Sequence, residues 1–466
     1  MSQSSAKSRT VGAILGALFE RGRRNVAQGL AVSIVIQAGG GLVAFAMFSL
    51  AARVLSSQDF GHLATWLSIS QMGSIIAIFG QEMFILRSLN QYMVANQPDL
   101  AKGALLFSTT IVCVAPALLS IAAGLGLFAF GMPLKFIIAI ALFLVASSII
   151  ALSSHVARSI VGIVISDGMR ELFWRSLVVA ALIAIILVGG TLHIDTFFLL
   201  AAAAISIGIS IQVFVIGRVI PGNIVHADAT WQIRDWSRMS FGFWASTILT
   251  TVNQYLDVVI IYWLLDPVAA GAYFIASRLA NMFATILSAV HSYATRQIPS
   301  LYFSRKFDDL NRTLRLMSEV VLICVLVGIA TIGFGAERIL GLFGPAFVTY
   351  KWTLFILTVG TAAYAAGGPV AAVLMISGHE ARYSWIVASN VILRFIGFAI
   401  LIPVFGLLGA ALATAISLVI VTIVLNILCR RWVGMDPSVL ILLGKPMGKL
   451  AAAGPGITQS QGDQAQ

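Results

Sequence analysis

Charged residues are scarce in this chain. Only 10% of its 466 residues are Asp, Glu, Lys or Arg, whereas 59% are hydrophobic. Soluble globular proteins carry about 25% charged residues, and disordered chains carry few apolar ones. The composition therefore excludes both an ordinary soluble domain and a largely disordered protein.

Cysteine is also rare, with three residues in the whole sequence. Cys113, Cys324 and Cys429 are far apart and fall within long apolar runs. This spacing excludes a disulfide framework and a cysteine metal site.

Motifs of familiar enzymes are absent as well. The sequence contains no HExxH, GxSxG or GxxxxGK[ST] pattern, which excludes the matching hydrolases and a single-chain ATP-driven pump. The polar gaps on the predicted outer side are short, and this argues against a polymerase or ligase with a large outer catalytic loop. We predict that the chain is not an enzyme and has neither a cofactor nor a metal site, apart from a candidate coupling proton or Na⁺.

Long apolar runs are the dominant feature that is present. A bilayer core about 30 Å thick requires roughly 20 apolar residues per helical crossing. We predict an all-α polytopic membrane protein with twelve transmembrane helices, at residues 26–52, 62–86, 104–130, 136–157, 176–191, 196–217, 239–264, 268–292, 317–334, 352–377, 384–403 and 406–429.

The basic residues predict an orientation. Of the 29 Lys and Arg residues, 23 lie in the N-terminus, the even-numbered gaps and the tail, and four lie on the opposite side. Only Arg278 and Arg394 fall inside predicted helices. By the positive-inside rule both termini are cytoplasmic. The net charge of +11 therefore belongs to juxtamembrane loops and does not indicate a nucleic-acid partner.

Two short repeats suggest a duplicated architecture. LSSQDFG at 55–61 is echoed by LDPVAAG at 265–271, and His155 to Arg158 is echoed by His379 to Arg382. The same helical order in both halves favours two parallel six-helix lobes around a central cavity. The predicted organisation is a basic N-terminus (1–24), an N-lobe (25–217), a cytoplasmic linker (218–238), a C-lobe (239–431) and a disordered polar tail (432–466).

Four further segments carry a resemblance to a known family. They are AARVLSSQDFG (51–61), DPVAAGAYFIASRLA (266–280), AERILGLFGPAF (336–347) and IPVFGLLGAALATAIS (402–417). These segments resemble the bacterial polysaccharide (O-antigen type) flippases of the multidrug/oligosaccharidyl-lipid/polysaccharide exporter superfamily, collinearly from about residue 25 to 431.

The resemblance implies a flippase of the bacterial inner membrane. Its substrate would be polyprenyl-diphosphate-linked oligosaccharide, moved from the cytoplasmic to the outer leaflet by alternating access. Membrane lipids, and a polysaccharide polymerase or export assembly, are the implied partners. An ion-coupled multidrug exporter of the same superfamily is the transport alternative. A lipid scramblase or an assembly partner is not distinguished by sequence.

Arg278 is the first candidate for substrate binding, because charges at membrane depth are usually functional. Its guanidinium can hold a diphosphate through paired hydrogen bonds. Alternatively, it neutralises Asp257 at a similar depth on the preceding helix.

Asp257 is also a candidate for ion coupling. Asn253 lies one turn earlier on the same face of predicted helix 7, and the resemblance to lipid II flippases adds Asn390 and Thr414. These four residues form a candidate proton or Na⁺ site, in competition with an inert packing network. The amide of Asn390 stands where the resemblance would place a carboxylate, which argues against Na⁺.

Arg394 and Glu82 complete the cavity candidates. Arg394 either lines the cavity or extends toward the cytoplasmic face. Glu82 either pairs with Arg87 or guards the mouth of the cavity.

Glycine and proline mark one candidate hinge. Gly367, Gly368 and Pro369 interrupt predicted helix 10, where proline removes a backbone donor. Gly39 to Gly41 in helix 1 predict a close backbone approach. Ordinary small-residue packing is the alternative in both places.

Overall fold

The computed structural model describes residues 32–33, 35–281, 307–377, 379–434 and 436–442, except for the side chains at 249–254, 307, 372, 375, 376, 380 and 381. Within these ranges the secondary structure is helical, with no β-strand. Helices follow from the composition, because a lipid-embedded chain must satisfy its backbone polar groups internally.

The helices of the first half are long and joined by short loops. Their bounds are α1 Val35–Val54, α2 Ser57–Ile78, α3 Gln81–Val94, α4 Pro98–Ala129, α5 Leu134–Ile160, α6 Ile163–Asp167, a π-helical turn Gly168–Phe173, α7 Trp174–Val188, α8 Ile194–Val219 and α9 Gly222–His226.

The second half continues the pattern. It contains α10 Ile233–Leu264, α11 (267–281), α12 Phe307–Gly341, α13 Pro345–Val348, α14 Lys351–Ala366, α15 Val370–Ile376, α16 Glu380–Phe405, α17 Leu407–Val433 and a 3₁₀ turn Val439–Leu442.

The predicted crossings coincide with these helices in order. Among the described residues, eight helices are long and apolar enough to cross a membrane, or nine when α2 and α3 count as one. The end of predicted helix 8 and the start of predicted helix 1 lie outside the described residues. The all-helical, multi-pass class is confirmed, and the count of twelve is consistent with the helices observed.

Predicted helix 2 is not continuous, contrary to expectation. Its two parts, α2 and α3, are bent by 41°. Phe79 and Gly80 between them adopt positive φ angles of 53° and 70°. A Cβ on Gly80 would lie 2.4 Å from the Ser240 carbonyl oxygen and 2.7 Å from the Trp244 nitrogen. The close passage of α10 therefore requires glycine at this break.

The first repeat has a structural counterpart. Ser56 caps α2 by accepting a hydrogen bond from the Asp59 amide at 3.0 Å. At the equivalent position, Asp266 accepts one from the Ala269 amide at 2.8 Å, where α11 begins. Both echoes are thus helix N-caps.

The two copies of the second repeat lie in different structural contexts. His155 lies within α5, whereas His379 precedes α16. The two copies of this echo therefore occupy different positions relative to their helices.

The chain divides into two compact units, Met1–Tyr262 and Trp263–Gln466. Most of α10 belongs to the first unit, where Trp236 is buried and donates to the Tyr92 hydroxyl at 2.9 Å. In the prediction the N-lobe ends at residue 217, and this helix belongs to the C-lobe instead. The lobes, as moving parts, remain a prediction.

The tail is folded further than the sequence predicts. Asp436, Pro437 and Ser438 are buried, and Arg430 binds Asp436 at 2.5 Å. Ile441 joins an apolar cluster with α12, α15 and α17. The structure therefore differs from the expectation of disorder at 436–442, because the apolar residues Val439, Ile441 and Leu442 pack on the core and one ion pair holds the segment. Residues 443–466 lie outside the described part.

Candidate functional site

Arg278 lies on α11 and is half-buried. Its guanidinium carbon is 5.2 Å from the centroid of the Phe274 ring one turn earlier. Phe274 is itself buried, so the cation rests on an apolar base with a cation–π contact. This arrangement orients a planar donor group at the edge of the second unit's core.

Asp257 is buried on α10, with 6% of its surface exposed. Asp257 and Arg278 belong to different compact units, so the predicted salt bridge stays a prediction. The side chain of Asn253 lies outside the described residues.

Thr414 is already engaged in a hydrogen bond. It is buried on α17, and its hydroxyl lies 2.8 Å from the Tyr273 hydroxyl on α11. Tyr273 is buried as well. The pair ties α17 to α11 within the second unit, a contact that sequence reasoning did not identify.

Asn390 is half-buried on α16. Its Oδ1 atom is buried and has no hydrogen-bond partner among the residues that the structure describes. No described contact joins Asn390 to Thr414. The proposed coupling site therefore stays a prediction for both residues.

Arg394 is packed inside the second unit with 4% of its surface exposed. Its guanidinium carbon lies 5.4 Å from the centroid of the Phe395 ring. In this conformation the side chain reaches neither the surface nor an open cavity. Contact with substrate would require a rearrangement of α16.

The predicted break in helix 10 is present. The α14–α15 break consists of Gly367, Gly368 and Pro369, and Gly368 has φ of 70°. A Cβ on Gly368 would lie 1.8 Å from the Pro437 carbonyl oxygen. The break is thus covered by the folded tail segment, and its function as a hinge stays a prediction.

Glu82 lies at the start of α3 and is half-buried. Neither Glu82 nor the exposed Arg87 has an ion-pair partner in the described ranges, so the local pair is not formed. Other charged side chains of the first unit do form ion pairs.

That group of charges surrounds the π-helical turn, and sequence reasoning missed it. Arg158 pairs with Asp167, whereas Glu171 binds Arg175 at 2.7 Å and Arg170 at 3.5 Å. We call His155, Arg158, Asp167, Arg170, Glu171 and Arg175 the α5–α7 charge cluster.

The π turn is stabilised by side chains. The Trp174 indole donates to the Arg170 carbonyl at 2.7 Å, and Arg175 donates to the Glu171 carbonyl at 2.6 Å. These bonds satisfy carbonyl groups that a π turn takes out of the regular helical pattern. Spacing alone does not reveal such a turn.

Helix α1 packs directly on this turn. A Cβ on Gly40 would lie 3.0 Å from the Glu171 Cβ, and one on Gly39 would lie 3.2 Å from the Leu172 side chain. The predicted close approach is confirmed for these two glycines. Gly41 has no atom within 4 Å of such a Cβ.

Buried neutral residues form a further polar group in the first unit. Gln212 is fully buried and hydrogen-bonds Ser153, Ser154 and the carbonyl groups of Ile165 and Ser166. These contacts join α8 to α5 and α6.

Within the described residues, no group of three or more His, Cys, Asp or Glu side chains could hold a metal ion.

Comparisons with solved structures show the fold. The inward-facing conformation of a multidrug resistance MATE family transporter of the MOP superfamily matches with a TM-score of 0.69 and 13% identity, covering 86% of this chain and 97% of that one. A Vibrio cholerae MATE transporter, VcmN in the bent form, matches with a TM-score of 0.55, 15% identity and coverage of 88% and 97%.

A third match is a MATE structure in complex with MaL6, with a TM-score of 0.59, 14% identity and coverage of 86% and 95%. At these identities the likeness shows the fold alone. A comparison with curated protein sequences finds no significant match.

The sequence itself matches a family model over more than half its length. The model is described as polysaccharide biosynthesis protein and matches residues 26–296, a range that includes α1 to α10 and the described part of α11. Together with the transporter fold, this match shows that the chain is a membrane protein of the polysaccharide biosynthesis protein family.

Proposed function

We propose that this protein is a flippase for polyprenyl-diphosphate-linked oligosaccharide. It moves the lipid-linked sugar from the cytoplasmic to the outer leaflet of the bacterial inner membrane for surface polysaccharide synthesis. The observation that carries the proposal is Arg278, a half-buried arginine within a membrane helix of a chain of this family. Placing a cation within a membrane helix costs free energy, and such residues are usually functional.

Arg278 is the primary substrate contact in this proposal. The residue is half-buried, and its guanidinium lies over the Phe274 ring. Two parallel N–H groups match two oxygens of a diphosphate. The polyprenyl tail stays in the bilayer while the charged group passes.

Alternating access supplies the movement. The two lobes rock about the substrate, and the α14–α15 break at Gly367 to Pro369 lets one half of this helix change direction. Glu82 and the α5–α7 charge cluster are polar groups at the predicted cytoplasmic end of the first unit. They give a sugar-bearing headgroup hydrogen-bonding partners as it approaches.

An ion gradient supplies the energy in this scheme, because the sequence has no ATP-binding motif. Asp257 is the candidate for protonation, and Asn253, Asn390 and Thr414 are its candidate neighbours. A proton suits this set better than Na⁺, since a single carboxylate is present.

The test is deletion in the native host, followed by measurement of lipid-linked oligosaccharide in each leaflet. The proposal expects the intermediate to accumulate in the cytoplasmic leaflet and surface polysaccharide to be lost. Complementation with the intact gene should restore both. An unchanged leaflet distribution would reject the proposal.

An ion-coupled multidrug exporter is the second candidate. The buried carboxylate of Asp257 favours it, because cationic drugs require an acidic partner. In the same deletion strain, raised sensitivity to cationic drugs with normal surface polysaccharide would select this function.

A further inference from the structure

A pair of buried hydroxyl groups joins α11, the helix that carries Arg278, to α17. Tyr273 on α11 is 1% exposed and Thr414 on α17 is 7% exposed. Their hydroxyl oxygens lie 2.8 Å apart, so one group donates to the other between the two helices. The sequence placed Thr414 in a candidate ion site and gave Tyr273 no role.

Helix α17 is a firm support at this point. The residues on either side of Thr414 each contact a neighbouring helix at a glycine. A Cβ on Gly360 of α14 would lie 2.6 Å from the Ala415 Cα, and one on Gly397 of α16 would lie 2.9 Å from the Ala413 Cβ. Helices that approach so closely leave little space for displacement. The Thr414 hydroxyl is therefore held in place within the second unit.

Helix α11, in contrast, has few large side chains that could fix its rotation before Tyr273. Residues 269–276 are all buried, and 269–272 are alanine and glycine. Small side chains form shallow ridges, which interlock weakly with neighbouring helices. In such a helix one buried polar contact can decide the orientation. The Tyr273–Thr414 hydrogen bond is a contact of this kind.

The geometry of the helix links this bond to Arg278. At about 100° per residue, Arg278 lies roughly 140° around α11 from Tyr273. Phe274, whose ring lies under the guanidinium, is within about 40° of Arg278 on the same face. With the guanidinium roughly 8 Å from the helix axis, a rotation of about 10° displaces it by about 1.4 Å. Paired hydrogen bonds to two phosphate oxygens do not tolerate a displacement of this size.

We infer that Tyr273 and Thr414 are positioning residues for Arg278. Their hydrogen bond sets the rotation of α11 and so determines where the guanidinium meets the diphosphate of the substrate. This role rests on the proposed function, in which Arg278 is the substrate contact. It requires no coupling ion at Thr414.

The test is a double-mutant cycle on the full chain in the native host. The rate at which lipid-linked oligosaccharide reaches the outer leaflet is measured for Tyr273→Phe, Thr414→Val and the double variant, at matched protein abundance. Both substitutions nearly keep the side-chain volume and remove the bond. We expect each single variant to lose about 3- to 10-fold in rate, and the double variant to lose no more than either. Thr414→Ser keeps a hydroxyl and should retain most of the native rate.

Dependence on Arg278 separates positioning from a purely structural role. In an Arg278→Ala background, loss of the hydroxyl pair should cost no further rate, because no guanidinium is left to misplace. Tyr92→Phe is the matched control. It removes another buried bond between helices, the one that the Trp236 indole donates to the Tyr92 hydroxyl at 2.9 Å in the first unit. At matched abundance it should leave the rate at its native value.

Cysteine labelling tests the rotation of α11 without any transport assay. Ser277→Cys, made after the three native cysteines are replaced with alanine, places a thiol beside Arg278 at a half-buried position of α11. The rate of maleimide labelling is measured on the purified full-length protein in detergent. It should change severalfold when Tyr273→Phe or Thr414→Val is added, and it should stay the same with Tyr92→Phe.

Two results would overturn the inference. One is an equal further loss of rate in the native and Arg278→Ala backgrounds, and the other is unchanged labelling of the cysteine at 277. A loss confined to Thr414→Val, with an altered dependence on Na⁺ or pH, would also overturn it and assign Thr414 to an ion site. If Arg278→Ala itself leaves transport intact, the proposed substrate contact fails, whereas the labelling still decides whether the hydroxyl pair orients α11.

Discussion

At the scale of single residues, ionisable side chains are identified from sequence far better than neutral polar ones. Arg278, Arg394 and Asp257 stand out because charge is rare within apolar runs. Gln212 and Tyr273 do not stand out, since an amide or a hydroxyl in a helix gives no sign of what it bonds. Their importance depends on neighbours that are distant in the chain.

Arg278→Ala tests the substrate contact directly. If the guanidinium holds the diphosphate, export of surface polysaccharide should fall by about 10- to 100-fold, the loss expected for one charge-assisted contact. Protein abundance in the membrane should stay near normal. Arg278→Lys should recover part of the export, because an ammonium lacks the paired donors.

The control for this series is Arg218→Ala. Arg218 also lies over a phenylalanine one turn earlier, at 4.3 Å from the Phe214 ring, but it is exposed. Its loss should leave export intact. If Arg278 instead only balances Asp257, each single mutant should lose abundance and the double Asp257→Ala, Arg278→Ala mutant should regain both abundance and export.

At the scale of elements, long straight helices were predictable and interruptions were predictable only in part. Pro369 predicts the α14–α15 break, because proline has no backbone N–H to donate within a helix. The α2–α3 break and the π turn have no such residue. They arise from packing, with α10 against Gly80 and α1 against Glu171.

Gly80→Ala should destabilise the protein by about 2 to 3 kcal/mol, because a side chain there is strained by its positive φ and collides with backbone atoms of α10. Thermal unfolding in detergent measures the loss. Gly126→Ala is the matched control, since Gly126 lies in α4 with no atom within 4 Å of a new Cβ. It should be neutral or slightly stabilising, and a similar loss in both variants would refute the packing argument.

The tail segment gives a second element-scale prediction. The reference is a chain that ends after Leu442 and keeps the folded segment 436–442. A chain that ends after Gly434 loses Ile441 from its apolar cluster and Asp436 from Arg430. We expect a destabilisation of about 2 to 4 kcal/mol, the range for removing a large buried side chain. Equal unfolding temperatures for the two truncations would show that 436–442 does not contribute.

At the scale of the whole molecule, sequence predicts most. Hydropathy and the asymmetry of Lys and Arg are sums over many residues, so single errors cancel. The helical membrane class and the order of crossings followed from these sums. The division into units did not, because the packing of α10 on α3 and α4 rests on a few contacts such as Trp236 with Tyr92.

The predicted orientation is tested by two single-cysteine variants, made after replacing Cys113, Cys324 and Cys429 with alanine. Asn223→Cys lies in the exposed gap between Arg218 and Arg234, and His193→Cys lies in an exposed gap without Lys or Arg. The positive-inside rule places the first in the cytoplasm and the second outside. A membrane-impermeant maleimide added to intact spheroplasts should therefore label only the cysteine at 193, and in permeabilised cells it should label both.

Labelling of the cysteine at 223 alone would reverse the orientation. Labelling of both in intact spheroplasts would mean that α8, the single helix between them, does not cross the membrane.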